Sequence, residues 1–174
     1  MTTKNNKKFV IAPLDKTHDK SEFNCGIDVL NQYLKTQAGQ DAKKNVAVTY
    51  ALTPLASKKI LGYYTLSSMG IFPGDLPAEI VRRLPRYPIL PGILLGRLAV
   101  DISSQRTNLG QYILIDALKR SFQVSNQIGI AAVIVDAKNE QALKFYQHFG
   151  FIKLPENNHR LFLPISTIKK LDLF

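Results

Sequence analysis

The alternation of apolar and polar positions divides the chain into short strands and helices. Phe9-Val10-Ile11-Ala12-Pro13-Leu14 has the length of a strand. From Gly26 to Ala38, the residues Ile27, Leu30, Tyr33, Leu34 and Ala38 recur as on one face of a helix. Val46 to Leu52 and Ile60 to Leu66 are rich in β-branched and aromatic residues, and Pro54 to Lys59 lies between them, which predicts an antiparallel pair. Residues 70–92 carry most of the punctuation: Gly70, Pro73, Gly74, Pro77, Pro85, Pro88, Pro91 and Gly92. A short helix is expected there from Leu76 to Leu84, with Asp75 as N-cap and Pro77 in its first turn.

The second half has a different rhythm. Ile93 to Val100 is nearly continuous in apolar residues, as a central strand requires. Leu109 to Ser125 then reads as a long helix: Leu109, Ile113 and Ala117 form one row, and Leu114, Leu118 and Phe122 the next. Ala131 to Val135 is another buried strand, Asn139 to Phe149 a helix closed by Gly150, and Arg160 to Leu163 a last strand. Strand–helix–strand–helix over 93–149 is a parallel crossover, preceded by antiparallel strands. The expectation is a single α/β domain over residues 1–174. Its sheet is mixed and mostly antiparallel, with a central parallel crossover and helices on both faces.

Composition narrows the chemistry. With 174 residues, 45% hydrophobic and 21% charged, the chain can bury a core, and no apolar run approaches the ~18 residues of a membrane span. Met1 to Lys8 is polar and basic, and the apolar run after it is too short for a signal peptide. One cysteine, Cys25, permits no intramolecular disulfide, so a reducing cytoplasm is expected. Cys25 itself reads as a buried structural thiol. His18, His148 and His159 lack metal-ligand spacing, and no metal is expected. Ser67-Ser68 lacks the Gly-x-Ser-x-Gly elbow of hydrolases. The formal net charge of +10 favours a polyanionic partner. Arg82, Arg83, Arg86 and Arg97 fall between Ile80 and Val100 with no acid among them, and Lys43-Lys44 adds a basic pair upstream.

The turn between the central strand and the long helix is Gln105-Arg106-Thr107-Asn108-Leu109-Gly110. Such a turn aims unpaired amides outward at the positive end of a helix dipole, which suits a pyrophosphate. Arg106 adds charge, and Asn108 tolerates a left-handed backbone.

Leu98-Ala99-Val100-Asp101, Gln105 to Gly110, and Asn139-Glu140-Gln141-Ala142-Leu143-Lys144-Phe145-Tyr146 with Phe149-Gly150-Phe151 resemble the GNAT acetyltransferases. The Asn-x-x-Ala-x-x-Phe-Tyr-x-x-x-Gly-Phe stretch of that family is complete. Its Gln/Arg-x-x-Gly-x-Gly/Ala motif departs at one position, where Asn108 replaces the first glycine. The resemblance implies the GNAT fold, with a cofactor half at about 93–151 and acetyl-CoA as cosubstrate. It implies that Leu98, Ala99 and Val100 pair with the pantetheine arm. Gln105 opens the pyrophosphate loop, in which the amides of Arg106, Thr107, Asn108, Leu109, Gly110 and Gln111 hold the phosphates. Asn139 would contact the pantetheine end, and Tyr146 would act as the acid for the departing sulfur. Glu79, Glu140 and water remain open as the base.

Phe23-Asn24-Cys25-Gly26 with Leu30 to Leu34, Leu61 to Ser67, and Leu95 to Asp101 are similar to the toxin branch of this superfamily. Members of that branch acetylate the α-amino group of aminoacyl-tRNA and block translation. The resemblance implies a bacterial, cytoplasmic toxin that dimerises. It also implies a cognate antitoxin, often of the ribbon–helix–helix kind, with operator DNA bound and repressed only by the toxin–antitoxin complex. Arg82, Arg83 and Arg86 suit tRNA phosphates, and Lys43 and Lys44 extend that surface. Two other readings stay open at this point: acetylation of a small amine or protein amine, and a catalytically silent module that binds RNA or an antitoxin.

Overall fold

The computed structural model describes residues 8–171, so nearly all of the basic start of the chain lies outside the described residues. Seven strands stand in one sheet in the order β1-β2-β3-β4-β5-β7-β6. They are β1 (Phe9–Pro13), β2 (Val48–Pro54), β3 (Gly62–Ile71), β4 (Leu90–Val100), β5 (Ala132–Asp136), β6 (Ile152–Leu154) and β7 (Asn157–Pro164). β1 runs antiparallel to β2, β4 parallel to β5, and β7 antiparallel to both β5 and β6. This is the mixed sheet with a parallel crossover that the alternation of strands and helices predicts.

By packing, the chain forms two compact units. Among the described residues, one comprises those from Lys8 to Thr65 with Arg97–Asp116, the other Leu66–Gly96 with those from Ala117 to Leu171. The core of the first unit gathers Phe23, Leu30, Tyr33, Leu34, Ala38, Ala51, Ile60, Tyr63 and Ala99. Its helical arm is α1 (Asp28–Gln32), a π-helical turn (Tyr33–Gln37) and α2 (Ala38–Lys43). The arm starts two residues later and ends five residues later than the apolar period predicts. The turn of π-helix slips the register so that Tyr33, Leu34 and Ala38 all stay buried. Tyr63 pins the arm by donating its hydroxyl to the Leu30 carbonyl at 2.8 Å. After Lys44, Asn45 adopts φ +56° and turns the chain toward β2, which begins at Val48 rather than Val46.

The second unit is built on Ile71, Leu76, Leu90, Ala132, Ile134, Leu154 and Phe162. The helix expected at 76–84 is shorter here and differently capped. Pro73–Asp75 forms a 3-10 turn, Pro77 is the N-cap, and α3 covers only Ala78–Val81. Proline caps by geometry: its extended ψ of 139° admits the chain to the helix without a side-chain acceptor, so Asp75 is not needed as the cap. α4 (Leu109–Ser125) and α5 (Glu140–His148) match their sequence patterns. β6 and α6 (Ile165–Lys170) have no clear sequence signal, because three- and six-residue elements are too short to show a period.

Candidate active site

The parallel ladder runs from Gly92↔Ala132 to Leu95↔Val135 and stops, while β4 itself continues to Val100. Among the described residues, β5 pairs with no residue of β4 beyond Leu95, so that edge of β4 offers backbone donors and acceptors outside the β4–β5 ladder. An extended polar chain added there would be held as a strand is held. Leu98 and Val100 are half-buried and Ala99 is buried.

Asp101 follows at once and is buried. Its carboxylate accepts from the Asn24 amide at 3.0 Å, the Ser103 amide at 2.9 Å and the Ser103 hydroxyl at 2.6 Å. Burial pushes its pKa up, but the hydrogen bonds from Ser103 and Asn24 outweigh burial and hold it below the ordinary carboxylate value. Four residues on, the Gln105 side-chain amide donates to the carbonyls of Cys25 and Val100, both at 3.0 Å. The end of β4, the loop after it and the Asn24–Gly26 turn are thereby tied together within one unit. Asn31 completes the tie, donating to the Asn24 side chain at 3.0 Å and accepting from the Cys25 amide at 2.8 Å. Cys25 is buried, and burial pushes its thiol pKa up, which suits a structural thiol.

In the loop, Arg106 has φ +62° and Asn108 φ +64°. Asn108 therefore adopts the left-handed conformation expected of an asparagine in a glycine's place. Thr107 donates its hydroxyl to the Ser104 carbonyl. The Tyr112 amide donates to the Asn108 carbonyl at 3.0 Å, the first turn of α4. Among the described residues, the amides of Arg106 to Gln111 donate to no backbone carbonyl. Leu109 is buried and Gly110 half-buried, while Arg106, Thr107, Asn108 and Gln111 are exposed. Amides without backbone acceptors at a helix N-terminus, with an exposed arginine among them, are a chemical fit for a pyrophosphate.

The other unit carries Tyr146. Asn139 caps α5, accepting from the Ala142 amide at 2.8 Å, so its side-chain oxygen has a structural role. Gly150, at φ +90°, closes the helix. Tyr146 is buried, with its ring edge-on to Phe145 at 5.3 Å and Phe151 at 5.5 Å. Among the described residues its hydroxyl makes no hydrogen bond. Burial, and to a lesser degree the Asp136 carboxylate, push the phenol pKa far up. A phenol that keeps its proton in an apolar setting can act as a general acid. Asp136, the last residue of β5, pairs bidentately with Arg160 at 2.7 and 2.8 Å.

Arg82, Arg83 and Arg86 are exposed in this same unit, whereas Lys43 and Lys44 are exposed at the end of α2 in the other. Glu79 and Glu140 are both exposed, each in the first turn of a helix. Sequence reasoning missed the Asp136–Arg160 pair and the double role of Gln105. Arg97, one of the four arginines of the acid-free stretch, is not part of an exposed basic cluster: it is half-buried, with its guanidinium 3.5 Å over the Tyr33 ring. Asp101 could have been found: an acid between a buried strand and Ser103 signals a local side-chain turn.

Comparison with known proteins follows the same lines. A family profile described as an acetyltransferase (GNAT) domain matches residues 90–165. The chain is 31% identical to a probable toxin TacT of Sinorhizobium fredii, over 94% of this chain and 95% of that protein. It is also 31% identical to a tRNA-acetylating toxin of Mycobacterium tuberculosis, over 88% and 90%. A solved structure of a tyrosine-to-phenylalanine variant of KacT superposes with a TM-score of 0.89 at 32% identity, covering 95% of this chain and 99% of that one. AtaT complexed with acetyl-methionyl-tRNAfMet gives 0.87 at 32% identity, covering 94% and 98%. Further structures of this group hold AtaTR with acetyl-CoA, AtaT with the C-terminus of the antitoxin AtaR, and the AtaT–AtaR complex on DNA.

Proposed function

Because the chain belongs to the GNAT acetyltransferase family, we propose that it is a toxin that transfers acetyl from acetyl-CoA to the α-amino group of aminoacyl-tRNA and so blocks translation. The observation that carries this reading is the set of amides from Arg106 to Gln111 without backbone acceptors among the described residues, on a chain that matches a tRNA-acetylating toxin over most of its length.

Acetyl-CoA supplies a thioester carbonyl that the amine can attack. The protein's own part is to hold and to protonate. Amides of Arg106, Thr107, Asn108, Leu109, Gly110 and Gln111 hold the pyrophosphate, with Gln105 bracing the loop. The unladdered edge at Leu98, Ala99 and Val100 holds the pantetheine arm, and Asn139 flanks its end. A backbone amide near Val100 stabilises the developing oxyanion. As the C–N bond forms and the C–S bond breaks, Tyr146 gives its proton to the departing sulfur, while the proton the amine loses passes to Glu79, Glu140 or water and solvent restores the phenol. Arg82, Arg83 and Arg86, with Lys43 and Lys44, contact tRNA phosphates.

The same reading covers its partners. AtaT is found with its antitoxin AtaR and, as that complex, on DNA. We assign this chain a cognate antitoxin of the ribbon–helix–helix kind, operator binding and repression by the complex alone, a homodimeric state, a single catalytic domain over its length, and a bacterial cytoplasmic setting. The test is induced expression in a bacterial host. The parent should arrest growth, and Tyr146→Phe should not. Arrest by both proteins alike would remove Tyr146 from its role.

A further inference from the structure

Between Ile71 and Leu90 the chain presents two sets of side chains. Leu76, Ile80, Val81, Leu84 and Leu90 turn inward and pack in the core of the second unit. Phe72, Tyr87 and Ile89 turn outward and are 57%, 63% and 51% exposed, and Arg82, Arg83 and Arg86 are exposed with them. The outward set is locally fixed. A Cβ on Gly70 would lie 2.8 Å from Ile89 Cγ2, so Ile89 rests against the strand end that leads to Phe72. The Asp75 amide donates to the Phe72 carbonyl at 2.9 Å, and the Tyr87 amide to the Pro85 carbonyl at 3.0 Å. Pro73, Pro77, Pro85, Pro88 and Pro91 stiffen the segment further.

Large exposed aromatics among arginines call for a partner that is both planar and anionic. The only acids from Ile71 to Val100 are Asp75 and Glu79. Asp75 is near enough to Arg160 to raise its pKa, after the larger effect of the Asp136 hydrogen bond. Asp136, paired with Arg160, in turn acts on Tyr146. The Phe72–Asp75 turn belongs to the same unit as Asp136, Arg160 and Tyr146.

We propose that Phe72 and Tyr87, framed by Arg82, Arg83 and Arg86, form a stacking platform for the unpaired bases at the 3′ end of charged tRNA. This rests on the aminoacyl-tRNA reading and adds the contact that places the amine. Arginines hold phosphates wherever the strand runs, whereas a ring accepts the face of any base and fixes the strand's end.

The experiment compares kcat/KM of the full chain and its variants on charged tRNA and on charged tRNA whose terminal unpaired nucleotides are abasic. Tyr87→Leu should lose about tenfold on intact charged tRNA, Phe72→Leu a comparable factor, and Tyr87→Phe almost nothing, with acetyl-CoA binding unchanged throughout. The abasic substrate should cost the parent more than either single variant loses, cost Tyr87→Leu less than it costs the parent, and cost the Phe72→Leu, Tyr87→Leu double variant nothing further, which is the signature of a shared contact. Equal rates for Tyr87→Leu and the parent on intact tRNA would overturn the platform while leaving the tRNA reading in place. So would an abasic penalty that Tyr87→Leu does not relieve. A changed oligomeric mass in Tyr87→Leu at unchanged acetylation would also overturn it and assign the surface to contact between copies. A parent that acetylates no charged tRNA at all would remove both readings.

Discussion

The side-chain amide of Gln105 donates to the carbonyl of Val100, the last residue of β4, at 3.0 Å, and to the Cys25 carbonyl at the same distance. One side chain thus fixes where the central strand ends and where the loop into α4 begins. Gln105→Leu removes both bonds without changing the charge. It should weaken acetyl-CoA binding about fivefold, measured by calorimetry, with a smaller change in the bound-state rate.

Asn108 holds φ +64°, a conformation that costs β-branched residues most. Asn108→Gly should bind acetyl-CoA at least as well as the parent. Asn108→Val should lower the melting temperature and weaken binding, in line with a backbone penalty of about 1–2 kcal/mol. Equal binding by both variants would show that the loop does not require its left-handed residue.

Tyr146 keeps its proton because burial raises its pKa above the ordinary tyrosine value of 10.0. A raised folded pKa gives stability that is present below about pH 10 and is lost as pH rises toward the folded pKa. The rate should therefore show no loss from phenol ionisation up to about pH 10. Tyr146→Phe should fold with nearly the parent's melting temperature, since the hydroxyl has no hydrogen-bond partner among the described residues. Its turnover should fall by about 100-fold or more.

Asp101 accepts from two backbone amides and a hydroxyl in a buried setting. Asp101→Ala strands those donors and should cost about 2 kcal/mol in urea unfolding, while Asp101→Asn should cost less. The hydrogen bonds hold the pKa below 3.8, despite burial. Its contribution should therefore be complete above that value and vanish as pH falls through the lower, folded pKa. Acid melts of parent and Asp101→Asn should converge there.

Replacing Arg82, Arg83 and Arg86 together by Gln should leave acetyl-CoA binding intact and reduce acetylation of charged tRNA. It should also flatten the dependence of tRNA affinity on salt, each lost phosphate contact lowering the log–log slope by about one. An unchanged slope would make these side chains solvated charges only.

How far the fold was legible depends on range along the chain. β4, α4 and α5 follow from their apolar periods, and the left-handed Asn108 from its place in the turn. All of these are local facts. Asp75 is not the cap its position suggests, because Pro77 supplies the required backbone itself. The π-helical turn at Tyr33–Gln37 is invisible to a 3.6-residue period, which it interrupts.

The missed parts of the candidate site are distant in sequence. Asp136 meets Arg160 across 24 positions, Gln105 meets Cys25 across 80, and Asn24 meets Asp101 across 77. Polar residues that find partners at such separation leave no pattern in a single sequence. Only the register of β5 on β7, with Asp136 opposite Arg160, brings that pair together.

The central claim is tested most directly by incubating the protein with labelled acetyl-CoA and, side by side, charged and uncharged tRNA pools. The account predicts label on the charged pool alone, released with the amino acid and carried on its α-amine. Label on neither pool, from protein shown to bind acetyl-CoA, would contradict it.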